Sequence, residues 1–428
     1  LAGSREDTGV RIAPDVVVVG AGLAGLACAV RLHEAGVPVA VFESGDGVGG
    51  RVRTDVVDGF RLDRGFQVLL TAYAEVAEQL DLAALAPRAF RSGALVRYGG
   101  RFHRIGDPFR EPSSIFSTLT SPIGSLRDKV RVAALRRSCL RGPYGSAFAA
   151  PETTALEELR ALGFGPEAID RFFRPFFAGI FLERDLATSS RLLRFLFRMF
   201  AAGAAVLPRD GMEAVPRQLA ARLPEGALHF GREVVAVRTG ELVLRSGEVV
   251  PCPRVVVATD GAAAAQLLDG VPQPRWCGVA CLYFVASEPP IDEPLLVLNG
   301  DGVGPVNNLC VPTQVAPEYG PGDKALVSVS VLGERADRAD LTERVRDQLA
   351  DWFGPGVHSW RHLRTYRIAR ALPRQEPGWL SPPLREARLG AGVYIAGDHR
   401  ANASIDGALT SGRRAAEAVL EDRARNAD

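Results

Sequence analysis

Three glycines near the start of the chain have the spacing of a phosphate-holding turn: Gly20-Ala21-Gly22-Leu23-Ala24-Gly25. Before them, Asp15 to Gly20 reads DVVVVG, a β-branched run of the kind that forms a strand buried on both faces of a parallel sheet. After them a helical pattern runs through Glu34 and is stopped by Gly36 and Pro38. In that context each glycine has a task. Gly20 makes the tight turn, Gly22 lets the backbone approach a pyrophosphate, and Gly25 lets the helix pack closely on the strand. The first N–H groups of the helix, those of Leu23 and Ala24 among them, and its positive dipole end face the phosphate. A second strand, Val37 to Phe42, ends at Glu43, where a carboxylate with Ser44 beside it can accept the hydroxyls of an adenosine ribose. The lone glycine motif is weak; strand, turn, helix, strand and acid together specify a dinucleotide site.

Two further features point to FAD rather than a nicotinamide. Downstream of Glu43 comes a second glycine-rich loop ending in Gly49-Gly50-Arg51. Arg51 can neutralise the diphosphate or sit beside the isoalloxazine, while Gly49 and Gly50 allow close backbone approach. At the other end of the chain, Val393 to Ala396 reads as a buried strand closing in Gly397-Asp398. Asp398 is placed to accept hydrogen bonds from the ribityl chain. A helix over 406–420 follows Ser404-Ile405, and with Ala408 its N-terminus would direct its positive end at the flavin pyrimidine ring. Both ends of the chain would then converge on one non-covalently bound FAD.

These residues resemble the flavin-containing amine oxidoreductase superfamily, which includes monoamine oxidases, protoporphyrinogen oxidases and phytoene desaturases. The GxGxxG, Glu43, Gly49 to Arg51, Asp63-Arg64-Gly65 and the final Gly-Asp with its SxxGA helix carry the resemblance, which covers most of the chain. It implies further cofactor contacts at Gly65, Phe66 and Gln67, at Val234 in REVVAV (232–237), and at Ala258 beyond Val255-Val256-Val257. Arg174 to Phe181, Thr188 to Phe200 and Arg370-Ala371-Leu372-Pro373 are most similar to phytoene-desaturase-like members. Two departures separate the chain from amine oxidases. Ser404 stands where that branch has a cage tyrosine, and Lys324, one of only two lysines with Lys129, lies in a turn signal rather than on a buried strand.

The elements that must position these groups read as an α/β fold. A Rossmann-type FAD-binding domain is expected from 15–75, 205–265 and 385–428. A discontinuous α+β substrate domain is expected from 76–204, mainly helical, and 266–384, mainly strands such as Gly278 to Ala286 and Ala325 to Leu332. The turns Gly302-Val303-Gly304 and Gly390-Ala391-Gly392 lack a following helix, so no separate nicotinamide site is expected, and oxygen or a quinone is the expected electron acceptor.

Composition bounds the alternatives. The formal net charge is +1, so no global field draws the chain to nucleic acid. Six cysteines form no CxxC pair and no zinc-ligand pattern, so no metal is expected and the thiols read as free ones in a reducing, cytoplasmic setting. Residues 1–14 carry no basic segment followed by an apolar one, hence no secretion signal, and stand outside the fold reading. Residues 101–141 hold nine basic side chains against three acidic ones around the uncharged, partly apolar stretch 112–126. That pattern is either a solvated basic face or a surface that docks on anionic lipid. The Ser190 to Phe200 helix reads as core packing, with Phe195, Phe197 and Phe200 lining an apolar channel as the alternative.

The expected function is dehydrogenation of a lipophilic, isoprenoid- or carotenoid-like small molecule, with hydride passing to flavin N5. A redox-neutral double-bond isomerase and an amine or protoporphyrinogen oxidase are the alternatives. No acid or base stands out. His399 beside Asp398, read as a proton shuttle or a hydrogen-bonded structural residue, and Arg51 are the candidates for catalysis.

Overall fold

The computed structural model describes residues 14–426, so the opening segment up to residue 13 lies outside the described residues. Its central layer is a six-stranded sheet in the order Leu228–His229, Val39–Phe42, Val16–Val19, Val255–Val257, Val393–Ile395, Arg388–Gly390. All neighbours are parallel except the last pair. The four consecutive valines of Val16–Val19 are all buried, because this strand lies between two others and is covered on both faces. One face carries Val16 and Val18 into a core with the Leu23–Glu34 helix and the C-terminal Ile405–Arg425 helix. These helices touch backbone to backbone: a Cβ on Gly412 would overlap the Ala24 carbonyl oxygen. The other face packs Val17 and Val19 against Val234, Leu242 and Leu244 of a small antiparallel sheet.

A second, seven-stranded sheet runs in the order Arg361–Pro373, Trp276–Ala286, Ala325–Leu332, Val306–Cys310, Leu296–Asn299, Gly93–Tyr98, Arg101–Gly106. The period-two alternation of its strands sorts side chains to two faces. Leu282, Phe284, Val327, Val329 and Val331 pack beneath Leu341, Val345 and Leu349 of the Leu341–Phe353 helix. On the opposite face, Cys281 and Tyr283 meet Phe60, Leu62 and Tyr319. Asp63 fastens that contact: its carboxylate accepts from Tyr319 Oη at 2.8 Å, Thr54 Oγ1 at 2.5 Å and Met212 N at 2.9 Å, and its carbonyl accepts from Tyr283 Oη at 2.8 Å.

One local reading changes, and the core-packing reading of the Ser190–Ala202 helix holds at Phe195. Helices dominate 115–202, but 93–106 is a β-hairpin whose first strand pairs in parallel with Leu296–Asn299. Its two-residue turn is Gly99-Gly100, both at positive φ, a backbone that suits the twist of a tight hairpin. In the Ser190–Ala202 helix, Phe195 is fully buried against Tyr73, Tyr144 and Phe148 rather than lining a channel. The arginines of that helix are fasteners: Arg191 donates to Ala150 O and Leu380 O, Arg198 to Cys139 O, and Arg194 pairs with Glu158.

Candidate functional site

The phosphate turn forms where the Val16–Val19 strand meets its helix. Gly20 has φ +105°, and a Cβ there would lie 2.9 Å from Ala258 O of the neighbouring strand end. A Cβ on Gly25 would overlap the Gly20 carbonyl oxygen, which explains why strand and helix can approach so closely. Gly22 differs, since a Cβ on it would meet no atom within 4 Å. The helix that begins at Leu23 has no side-chain cap, so its first N–H groups, Leu23 and Ala24 included, keep the donors that an anion can satisfy. Gly49 N donates to Ala21 O at 2.8 Å, and Gly22 bridges Gly49, bringing the second glycine loop and exposed Gly50 alongside the first.

Glu43 ends its strand beside this turn. Its Oε2 accepts from Ala21 N at 2.8 Å, and its Oε1 from Gly45 N at 2.7 Å and Ser44 Oγ at 3.2 Å. The carboxylate thus sets the loop, and each oxygen retains acceptor capacity for a hydroxyl. Arg232 N donates to Glu43 O at 2.8 Å, which brings buried Val234 near the same strand end.

Arg51 joins three distant segments. Its guanidinium donates to Asp398 Oδ1 at 2.8 Å and to Ala371 O at 2.9 Å, and lies 5.8 Å from the Trp276 ring centroid. Gln67 Nε2 donates to the Arg51 carbonyl at 2.9 Å, Gly65 takes φ +96° with Ile368 Cδ1 3.0 Å from where a Cβ would stand, and Phe66 sits edge-on to Phe90. Burial pushes the Asp398 carboxyl up, but the Arg51 charge and hydrogen bond outweigh it and hold it below the usual carboxylate range. Gly397 N donates to Ser411 Oγ at 3.0 Å, pinning this turn to the C-terminal helix. Ser404 caps that helix by accepting from Gly407 N at 3.0 Å, and it also bonds Asn402. Ile405 and Ala408 are half-buried while Asp406, Gly407 and Leu409 are buried, so the first turn offers one face outward from the core.

The groups present fit FAD: the uncapped helix start and side-chain-free Gly22 would take the diphosphate, Glu43 would accept the ribose hydroxyls, and Arg51 with Asp398 would face the opposite end. FAD supplies hydride acceptance when bound there.

His399 is brought to the same turn but makes neither of the bonds its two readings ask for. It is 2% exposed, neither ring nitrogen has a hydrogen-bond partner among the described residues, and burial holds its pKa down to about 4. The ring is therefore neutral at pH 7. Because the folded value lies below the ordinary 6.5, stability from this group is lost as pH falls from 6.5 toward 4. Between pH 7 and pH 5 that loss is about 2 kcal/mol. Denaturant unfolding at both pH values should show it as a change in the stability difference between the wild type and His399→Gln. Asp63 and Asp406, which burial pushes up to about 6, respond in the opposite sense and cancel in the comparison.

Next to the Arg51 junction lies an apolar crevice of about 10 Å³, roughly room for one water, lined by Ile180, Phe181, Thr188, Leu192, Leu196, Leu372, Pro373, Gln375 and Ala403. It sits between the Arg174–Phe181 and Ser190–Ala202 helices and the end of the Arg361–Pro373 strand. Ala403 directly precedes the capping Ser404, so the crevice borders the start of the C-terminal helix. Gln375 donates to Ala401 O and accepts from Ala403 N, which commits its amide to that junction. Sequence reasoning singled out the stretches around Leu372 and Thr188 but missed Gln375. Its signal is only a polar residue after Leu372-Pro373-Arg374.

Residues 23–420 match the profile of the flavin containing amine oxidoreductases. The chain is 32% identical over 290 residues to the phytoene dehydrogenase of Streptomyces griseus, a match covering 60% of this chain and 56% of that one. It is 27% identical to the hydroxysqualene dehydroxylase of Rhodopseudomonas palustris, covering 95% and 98% of the two chains. Among solved structures, the cyclohexylamine oxidase of Brevibacterium oxydans superposes with a TM-score of 0.74 at 18% identity, over 96% of this chain and all of that one. The chain belongs to the flavin-containing amine oxidoreductase family, and FAD is its cofactor.

Proposed function

We propose that this protein is an FAD-dependent dehydrogenase of a lipophilic, isoprenoid-like molecule, transferring hydride from a substrate C–H bond to flavin N5. The observation that carries the proposal is the apolar wall of Phe181, Leu192, Leu196 and Leu372, which meets the start of the C-terminal helix beside the Arg51 junction around a crevice with room for about one water. Leu192, Leu196, Ile180 and Phe181 would have to part for a hydrocarbon chain to enter, and would then line it and exclude water. Gln375 would keep the Ala401–Ala403 wall in place, and the helix dipole behind Ser404 would favour negative charge at the flavin pyrimidine end. The phytoene dehydrogenase and hydroxysqualene dehydroxylase relatives act, by their names, on molecules of this class. Gly302-Val303-Gly304 leads into a strand rather than a helix, which supports oxygen or a quinone as the acceptor. The test is anaerobic titration of the yellow protein with prenyl, amine and porphyrinogen compounds. Bleaching of the flavin band by a prenyl compound is the expected result; bleaching by an amine or a porphyrinogen alone would overturn the reading.

A membrane surface fits as the source of such a substrate. Among the described residues no helix is long and apolar enough to cross a membrane. Yet Phe116, Val130, Leu126 and Phe109 are 77%, 71%, 63% and 60% exposed, and Ile115 and Leu119 are exposed beside them. They lie on or next to the Ile115–Thr120 and Leu126–Leu140 helices, the second of which carries Arg127, Arg131, Arg136 and Arg137. Insertion of the apolar tips, with about 1 kcal/mol of attraction for each basic residue near an anionic surface, would hold the protein at a bilayer. Sedimentation with vesicles containing anionic lipid should deplete the wild type from solution, and Phe116→Glu with Leu126→Glu should abolish this. Equal sedimentation of both would remove membrane contact from the proposal.

A further inference from the structure

The first turn of the C-terminal helix carries a buried acid that the dehydrogenation proposal does not use. Asp406, two residues past the capping Ser404, is 3% exposed. Its Oδ1 accepts from Glu75 N at 3.1 Å. The Tyr144 hydroxyl, which accepts from Ala74 N at 3.0 Å, faces the same carboxyl. Tyr73, the residue before the Ala74–Gln79 helix, faces both Asp406 and Ser404. Arg413 faces Asp406 from its own helix, but it is committed to Glu75 and Glu417, each at 2.7 Å. The titratable and charged groups around Asp406 are therefore Tyr73, Glu75, Tyr144 and Arg413, and it has no ion pair with a cation among the described residues. A carboxyl enclosed without a cation of its own keeps its proton more readily than one in water. Burial pushes Asp406 up to about 6, and the Glu75 charge adds to the rise.

The outward face of the same turn, at Ile405 and Ala408, is where the flavin pyrimidine ring would lie, so Asp406 stands across the helix end from it. Two negative charges about 10 Å apart, the width of a helix, repel enough inside a protein to shift an acid constant roughly ten-fold. We propose that Asp406 takes up a proton when the flavin is reduced, so that the charge around this helix start stays constant as the ring turns anionic. The inference rests on FAD lying at the helix start and holds whichever molecule is oxidised. Hydride carries two electrons and one proton from the substrate C–H bond to N5, which leaves the reduced ring with one negative charge, and the second substrate hydrogen leaves as a proton to solvent. The proton on Asp406 comes from solvent and returns there when the acceptor takes the hydride equivalent from N5.

The test is reduction of the holoprotein by xanthine and xanthine oxidase against a reference dye between pH 5 and pH 8, in the wild type and Asp406→Asn. Near pH 6.5 the wild type should take up about 1.5 protons for every two electrons, and the variant about one. At pH 8 flavin reduction should be about ten-fold more favourable in Asp406→Asn than in the wild type, and at pH 5 the two should agree within about two-fold. Protonation of the reduced ring itself is read separately from its absorption spectrum. Unfolding of the apoproteins in urea supplies a second readout. As pH rises from 5 to 7, charging the buried carboxyl should cost the wild type about ten-fold in its folding constant relative to Asp406→Asn. If Asp406→Asn does not hold FAD, Tyr144→Phe, which keeps the acid and removes the hydroxyl facing it, should move the extra proton uptake to higher pH, and an unmoved profile would overturn the inference. A difference in reduction that is the same at every pH, as a purely structural role would give, or equal proton uptake in the two proteins would also overturn it. So would an apoprotein effect with no coupling in the holoprotein, by placing the flavin charge away from this helix.

Discussion

Gly25→Val should abolish the folded protein, whereas Gly22→Val should leave the fold intact and empty it of FAD. The two glycines lie three residues apart in one turn, yet they face different surroundings. A side chain on Gly25 must overlap the Gly20 carbonyl oxygen, which is backbone and cannot swing aside, and Ala258 crowds it from the next strand. Relief requires the helix to lift from the sheet, a loss on the order of 4 to 5 kcal/mol, enough to unfold a domain of ordinary stability. Gly22 meets no protein atom in the direction of its missing Cβ, and its φ of −73° and ψ of 176° suit any residue. Valine there should cost the apoprotein about 1 kcal/mol, the usual difference between glycine and an apolar residue at a helix N-cap. It should nevertheless weaken FAD by about a hundred-fold, near 3 kcal/mol, by holding the diphosphate off the helix start. Circular dichroism melts of the apoproteins and flavin retention after gel filtration separate the two outcomes. A Gly22→Val protein that keeps its yellow colour would show that the diphosphate does not lie against this turn.

Arg51→Met should destabilise the protein by about 3 kcal/mol at pH 7, short of the largest losses for buried pairs because a third of the Arg51 side chain is exposed. The substitution strands Asp398, whose side chain is only 6% exposed, and frees the Ala371 carbonyl. In the wild type Asp398 titrates below its ordinary value, so the stability it contributes is present above about pH 4 and is lost as pH falls through its lowered pKa. The gap between wild type and Arg51→Met should therefore close on acidification. Adding Asp398→Asn to Arg51→Met should restore most of the loss at pH 7, which a double-mutant cycle in urea would measure. A gap independent of pH, or no recovery in the double variant, would mean that Arg51 acts by packing on Trp276 rather than through its charge.

The parts of the site that were legible in the sequence are those built from short-range constraints. Four valines before a glycine turn can only be a doubly covered strand, and the SxxG spacing from Ser404 to Gly407 places a capping hydroxyl three residues before the N–H it accepts. Ser404 was expected at the cofactor; its observed bonds are those of the cap. Other features depend on partners far along the chain. Gln375 is a loop residue until Ala401 and Ala403 are beside it, and Glu183 is an ordinary surface acid by type until its loop turns it inward. Apolar periodicity reveals that the Ser190–Ala202 helix is buried, but not that Leu192 and Leu196 face the crevice while Phe195 faces Tyr73. The 93–106 hairpin had its signal in Gly99-Gly100 between β-branched and aromatic residues, a mark easily lost inside a predominantly helical stretch.

The order of strands in the central sheet has a consequence for how the protein is made. Val16–Val19 is flanked by Val39–Phe42 and by Val255–Val257, and the latter waits for Val393–Ile395. During synthesis the glycine turn leaves the ribosome while the strand and helix that cover it are still untranslated. Such long-range pairings fold slowly and leave apolar edges exposed in the interval. At roughly 5 to 20 residues per second the interval between the first strand and the last is tens of seconds. The nascent chain would keep those edges uncovered over that time, and cofactor loading would report on translation of the Asp398 end of the site, which follows the glycine turn by most of the intervening sequence.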